Sequence, residues 1–180
     1  MFKNRALLLD RDGVINVDHH YVGTIDRFDF MPGLFSFLRA ARDRGYRLAV
    51  LTNQAGVARG LFSEDDYRKL TAHMLESLRR EGIEIDLVLA CFEHIDATNP
   101  LLARQSFWRK PNPGMVLEAA RRMRLNLART AFLGDHLRDM QAALSGGIGK
   151  CLWLTQEKSE IPTGVTLVKN YDEALKALSA

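Results

Sequence analysis

An α/β fold, a doubly wound parallel sheet with helices on both faces, is predicted by three features of this sequence. Short apolar runs alternate with longer amphipathic stretches, the order that βαβ units produce. The runs are near-continuously apolar, as expected of strands buried on both faces. No repeat, low-complexity segment or Gly/Ser-rich linker breaks that order, so residues 1–180 read as one domain, long enough to bury a substantial core.

The elements follow in order. Leu7, Leu8 and Leu9 place the first strand at 5–10 (RALLLD), and a helix over 33–44 stops at Gly45 in RGYRL. The second strand is expected at 47–52 (RLAVLT). Ser63 caps a helix over 64–81, because Glu64, Asp65 and Asp66 complement the exposed amides of its first turn, and Gly82 ends it. Strands at 86–91 (DLVLAC), 130–134 (TAFLG) and 150–154 (KCLWL) alternate with helices over 113–124, 136–145 and 171–178.

Composition narrows the function classes. With 47% apolar and 26% charged residues the chain is an ordinary globular protein, which excludes disorder. A net charge of +3 is small, and basic runs such as 39–47 and 121–124 sit at helical spacing as solvated faces. A nucleic-acid binder would concentrate its charge. Two cysteines, Cys91 and Cys151, fit a reducing compartment. The N-terminus lacks a signal-peptide pattern, and no apolar run approaches the ~20 residues of a membrane span. A cytoplasmic protein is expected, and nothing demands more than a monomer.

In a parallel sheet, ligands bind beyond the carboxyl ends of the strands. Those ends carry Asp10 and Asp12, then Thr52 and Asn53, then Cys91 and a long loop, then Asp135 and Asp139, with Lys110 in RKPNPG before the helix at 113. Each alone is ordinary: an Asp-x-Asp pair, a Thr-Asn turn, a basic turn, a helix cap. Together they compose a site. Carboxylates gathered in one cleft need a cation between them. Asp10, Asp12 and Asp135 offer hard oxygen ligands without a thiolate or imidazole cluster, which points to Mg²⁺ over zinc. Thr52, Asn53 and Lys110 suit a phosphate. Asp10 is then placed as a nucleophile on phosphorus, and Asp12 as the acid and base that protonates the leaving alkoxide and later activates water.

This order of motifs resembles the haloacid dehalogenase superfamily of phosphotransferases over nearly the whole chain. LLLDRDG matches its first motif, LAVLTN its second, RKPNPG its third and LGDHLRD its fourth. DRDGVINVDHHYV, FDFMPG, TNQAGVARG and RKPNPGM are similar to the heptose 1,7-bisphosphate phosphatase branch. The resemblance implies a Mg²⁺-dependent phosphomonoesterase of heptose sugar biosynthesis, for lipopolysaccharide or capsule, with no inserted cap domain. It implies Asp10 as nucleophile, Asp12 as acid–base, Thr52 and Lys110 as catalytic partners, and Asp10, Asp12 (through its main-chain carbonyl) and Asp135 as the magnesium site. Substrate contacts fall on Asp18, His19, His20 and Tyr21, on Thr52, Asn53, Gln54 and Ala55, and on Arg109 and Lys110. Arg109 suits the remote phosphate through its planar fork.

Two departures stand out. Related enzymes of this branch hold a structural zinc in the third-strand loop. Here Cys91 remains, but Glu93 stands at the histidine position and Ser106 and Trp108 replace the later cysteines, so no zinc is expected. Leu101, Leu102, Phe107 and Trp108 are expected to pack that loop down instead, with Cys91 a small buried hydrophobe. The second departure is His136 in place of a usual lysine, which makes the site less positive at neutral pH. A histidinol-phosphate phosphatase, or one acting on another small sugar phosphate, is the nearest alternative, opposed by GVARG and VDHHYV. A receiver-like domain that holds an aspartyl-phosphate without turnover is a second. Receivers carry that aspartate on a middle strand and lack an acid two residues later. A non-catalytic heptose-binding remnant is a third, opposed by the presence of all four motifs.

Overall fold

The computed structural model describes residues 4–156 and 160–179. Six strands form one wholly parallel sheet: β1 (Ala6–Leu9), β2 (Arg47–Asn53), β3 (Leu87–Cys91), β4 (Ala131–Gly134), β5 (Lys150–Leu154) and β6 (Val165–Val168). Their order is β3-β2-β1-β4-β5-β6. The helices are α1 (Leu34–Asp43), α2 (Ala55–Ala58), α3 (Glu64–Arg80), α4 (Gly114–Met123), α5 (Leu137–Ser145) and α6 (Tyr171–Ser179).

Strand side chains point alternately to opposite faces, and both faces are filled. Leu7 and Leu9 of β1 join a core with Phe37 of α1, Met74 of α3 and Leu178 of α6. Ala6 and Leu8 join a second core with Met115 and Val116 of α4 and Met140 of α5. Burial of Leu7, Leu8 and Leu9 is complete, which is worth roughly 1.5–3 kcal/mol for each side chain.

The expected strands and helices all form, with ends shifted by a residue or so. Ser63 caps α3 as expected: its Oγ accepts from Asp66 N at 3.0 Å, and Asp66 Oδ2 accepts from Ser63 N at 2.9 Å. Gly82 ends that helix with φ +73°. The basic runs lie on exposed faces paired with acids, Arg121 and Arg122 with Glu118 among them. Two elements carry weak signals and are absent from the expectations above. β6 is a four-residue edge strand with an exposed Thr166, and α2 is one turn, AGVA. Among the described residues, no helix is long and apolar enough to cross a membrane.

One expectation fails. Of the four hydrophobic residues expected to pack the loop between β3 and α4, Leu102 is half-buried, while Leu101 is 81% exposed, Phe107 59% and Trp108 39%. Polar contacts hold it instead. Glu93 pairs with Arg104, and Thr98 donates from both N and Oγ1 to Ala58 O at 2.9 and 3.1 Å. Cys91 is buried as expected.

The topology fixes where a ligand goes. From β1 the chain winds outward through β2 to β3, then returns to β4 on the other side of β1. The winding therefore reverses between β1 and β4, and the crevice at their carboxyl ends is the binding position of such sheets.

Candidate active site

Asp10 leaves the end of β1 directly into that crevice and is buried. Its Oδ1 accepts from Arg11 N at 2.7 Å and lies 2.9 Å from Lys110 Nζ. The same ammonium sits 2.8 Å from Asp139 Oδ1 and donates to Leu51 O at 2.8 Å. Three acceptors thus enclose a fully buried cation. The two acids raise the Lys110 pKa against the opposing effect of burial. Burial drives the Asp10 pKa up to about 7; Lys110 opposes this, and Asp139 and Asp135 add to it by repulsion.

Asp12 turns a different way. Its carboxylate accepts from Arg11 Nη2 at 2.8 and 3.0 Å, Asn16 Nδ2 at 3.0 Å and Gln54 Nε2 at 2.8 Å. Arg11 is itself buried and anchored on Val22 O at 2.6 Å. Gln54 also donates to Thr52 Oγ1 at 2.8 Å, which leaves the Thr52 hydroxyl hydrogen free to be donated. Asn53 and Lys110 exchange side-chain-to-main-chain bonds in both directions, at 2.9 and 3.1 Å, and so clamp the Lys110 loop to the end of β2.

Asp135 follows β4. Its Oδ2 lies 2.9 Å from His136 Nδ1, and its Oδ1 is buried with no hydrogen-bond partner. Gly13 is what lets it approach: a Cβ there would lie 2.1 Å from Asp135 Oδ2. Asp135, His136 and Asp139 each place one potential ligand atom within 4.8 Å of the others. The contact with Asp135 raises the His136 pKa despite partial burial.

A cavity of about 250 Å³ opens at these strand ends; His136 lines it, whereas Asp10 and Asp135 do not. Of the residues singled out in the sequence, Asp12, Asp18, His20 and Tyr21 line it, as do Asn53, Gln54, Ala55 and Arg109. Thr52 and Lys110 are buried and do not line it. His19 is not brought to it: its ring faces Asp29 Oδ2 at 2.9 Å on the surface. The turn that presents His20 and Tyr21 has left-handed φ at both, 56° and 51°, a conformation that costs about 1–3 kcal/mol per residue and clusters at functional sites. A larger cavity, of about 750 Å³, lies on the far side of Asp135 and His136. Met31, Pro32, Trp153 and Tyr171 line it together with Asp135, Gln156, Lys169 and Asn170, whereas the smaller cavity gathers Arg59, Arg109 and Arg138.

Several site residues were missed by reading strand ends. Asp139 appeared there only as an acid after the fourth strand, whereas it is the second anchor of Lys110. It lies in the first turn of α5, where its Oδ2 accepts from His136 N at 3.0 Å. Arg11, Asn16, Arg59, His94 and Arg138 carry no strand-end signal. Only the three-dimensional arrangement selects them.

Residues 1–147 match the family model of haloacid dehalogenase-like hydrolases. The chain is 43% identical over 143 residues to a D-glycero-beta-D-manno-heptose-1,7-bisphosphate 7-phosphatase of Rhodopseudomonas palustris, covering 79% of each chain. It is 41% identical over 167 residues to the alpha-anomer 7-phosphatase of Burkholderia mallei, covering 92% of this chain and 88% of that one. The D,D-heptose 1,7-bisphosphate phosphatase of B. bronchiseptica, solved in complex with magnesium and phosphate, superposes with a TM-score of 0.85 at 28% identity, covering 97% of this chain and 98% of that one. The chain belongs to the haloacid dehalogenase-like hydrolases and, within them, to the family of the D-glycero-D-manno-heptose-1,7-bisphosphate 7-phosphatases.

Proposed function

We propose that this chain removes the 7-phosphate of D-glycero-D-manno-heptose 1,7-bisphosphate through an aspartyl-phosphate on Asp10. The observation that carries the reading is the buried Asp10–Lys110–Asp139 chain, whose sequence neighbours Asp12, Arg109 and Arg138 line a cavity furnished with polar and cationic groups. A surface acid pair would need no such cation. The reading uses residues of one chain only.

The residues fit a hard divalent cation. Asp135 Oδ1 is buried without a partner, Gly13 leaves room beside it, and the crowding of Asp10, Asp135 and Asp139 calls for a further positive charge. Asp10, Asp135 and the main-chain carbonyl of Asp12 would hold Mg²⁺, since the Asp12 carboxylate is taken up by Arg11, Asn16 and Gln54. When bound, Mg²⁺ supplies charge that keeps Asp10 ionised and offsets the phosphoryl oxygens.

Asp10 Oδ2, which no donor among the described residues engages, attacks phosphorus as the bond to the sugar O7 breaks. Asp12 gives a proton to the leaving alkoxide. It then takes one from the water that attacks the aspartyl-phosphate, which releases orthophosphate and regenerates Asp10. Lys110 and the Thr52 hydroxyl offset and hold the transferring group. Steady-state kinetics on the heptose bisphosphate and on histidinol phosphate test this. A preference of about 100-fold or more for the former is expected, because the cationic cavity is left unpaired by a monophosphate. A preference for histidinol phosphate would overturn the reading.

Metal binding should depend on pH in a defined direction. The folded Asp10 pKa, about 7, lies above its ordinary 3.8. Without a cation, the protein therefore loses stability as pH rises from about 4 to about 7. Mg²⁺ binding requires the ionised carboxylate. The rise in Tm on adding MgCl₂ is thus expected to be larger at pH 8 than at pH 6, and equal rises would contradict it.

A further inference from the structure

His94 takes no part in the steps given above, yet it lines the smaller cavity, and the loop after β3 holds it in place. Its N donates to Leu102 O at 3.1 Å, and Ala97 N donates to its carbonyl at 3.1 Å. Further along, Thr98 N and Asn99 N both donate to Ala58 O at the end of α2, at 2.9 and 3.3 Å. The imidazole is thus carried on a pinned turn, and its side chain is only 16% exposed.

The same turn orients the ring. Asp96 N donates to His94 Nδ1 at 3.0 Å. A nitrogen that accepts a hydrogen bond carries no proton, so in the neutral ring the hydrogen sits on Nε2. Among the described residues, Nε2 has no hydrogen-bond partner. Asp96 Oδ2 stands 3.7 Å from Nδ1, too far for a hydrogen bond that would hold a proton there. The surroundings also keep the ring uncharged. Burial lowers its pKa first, and repulsion from Arg109 and Arg59 lowers it further against the weaker pull of Asp96.

A neutral N–H on this wall is suited to a neutral acceptor. Anionic phosphate oxygens draw charged donors, which the cavity holds in its arginines. A sugar hydroxyl oxygen needs no charge opposite it, only a donor in a fixed place. A partly desolvated donor left unmatched costs free energy, and a ligand that lacks the matching hydroxyl is rejected for that reason.

We infer that His94 is a specificity-determining residue, whose Nε2–H donates to a hydroxyl oxygen of the sugar, so that the cavity reads the sugar as well as its phosphates. The inference rests on the proposed function for the identity of that sugar.

Two measurements test it. Kinetics compare the heptose 1,7-bisphosphate with heptane-1,7-diol bisphosphate, which carries both phosphates on seven carbons and no free hydroxyl. His94→Phe is expected to lower the ratio of their kcat/KM values by about 5–20-fold, the range for one neutral hydrogen bond left unmade, chiefly through KM for the sugar. His94→Gln, whose amide N–H can reach the place of Nε2, should recover most of that ratio. His94→Asn should not, because its amide oxygen can replace Nδ1 as the acceptor for Asp96 N but its N–H stops short of Nε2. Recovery by asparagine and not by glutamine would show that the ring only holds its turn, and an unchanged ratio in His94→Phe would show no contact. Either result overturns the inference.

Nitrogen-15 NMR of the full chain near pH 7.5 should show His94 protonated on Nε2 and unprotonated on Nδ1. Heptose 1-phosphate should move the Nε2 signal, and orthophosphate alone should move it less. An imidazolium, the opposite tautomer, or equal shifts from the two ligands would overturn the inference. A shift with heptose 1-phosphate in a wild type that fails to hydrolyse the bisphosphate would refute the proposed activity and leave the contact standing. Hydrolysis of the bisphosphate with Nε2 unmoved by heptose 1-phosphate would refute the contact and leave the activity standing.

Discussion

Asp10→Asn is expected to lower kcat by about 10⁴-fold or more while leaving the protein folded, because a covalent nucleophile disappears from a site that keeps its other groups. Asparagine has almost the shape of aspartate, and its carbonyl can still accept from Arg11 N and Lys110, the two groups that Oδ1 engages now. Lys110 keeps Asp139 and Leu51 O as partners, so the buried cation stays neutralised. The change also removes a carboxylate that burial disfavours in its charged form, its pKa standing at about 7. Near pH 8 and without Mg²⁺, the Tm of the variant should therefore equal or exceed that of wild type. The pairing of lost turnover with undiminished stability separates a chemical role from a structural one. Turnover within tenfold of wild type would remove Asp10 from the mechanism. A large fall in Tm would mean that its charge holds the fold together.

That argument draws on a layer of the protein that was only partly legible in its sequence. The strands were readable because Leu7, Leu8 and Leu9, like Leu48 to Leu51, are buried on both faces and so show as unbroken apolar runs. The acids after them were readable because a parallel sheet delivers its strand ends to one edge. The partners of those acids were not readable, because what selects them is direction in space. Arg11 lies between two aspartates in sequence, and nothing local says that its guanidinium folds back on Asp12 and Val22. Asp139 looks like any first-turn acid of a helix until Lys110 arrives from 29 residues upstream. The loop after β3 misled for the opposite reason. Leu101, Phe107 and Trp108 carry a burial signal, but the polar ties of Glu93 and Thr98 fix the loop without drawing them inward.

Lys110→Met tests that hidden layer most severely. Methionine fills similar volume and removes the charge, which leaves Asp10 and Asp139 facing each other in a buried space with no cation between them. Breaking a buried pair from one side costs about 3–5 kcal/mol, which corresponds to a fall in Tm of about 6–20 °C for a chain of this size. The loss should depend on pH. Lys110 pulls the Asp10 pKa down by charge and by hydrogen bond, so its removal lifts that value further. A carboxylate whose folded pKa lies above its unfolded one destabilises the fold as pH rises toward the folded value. The variant should accordingly recover part of its stability when the pH is lowered from 8 to 5.5. Activity falls for two linked reasons: Asp10 loses the ammonium that favours its ionised, nucleophilic form, and the transferring phosphoryl group loses a fixed positive neighbour, worth about 10²–10³ in kcat by itself. Adding Asp10→Asn to Lys110→Met should restore stability without restoring turnover, because the second change removes one of the two stranded charges. A double variant no more stable than Lys110→Met would show that the ammonium holds the loop through Leu51 O and Asp139, and not by neutralising the nucleophile.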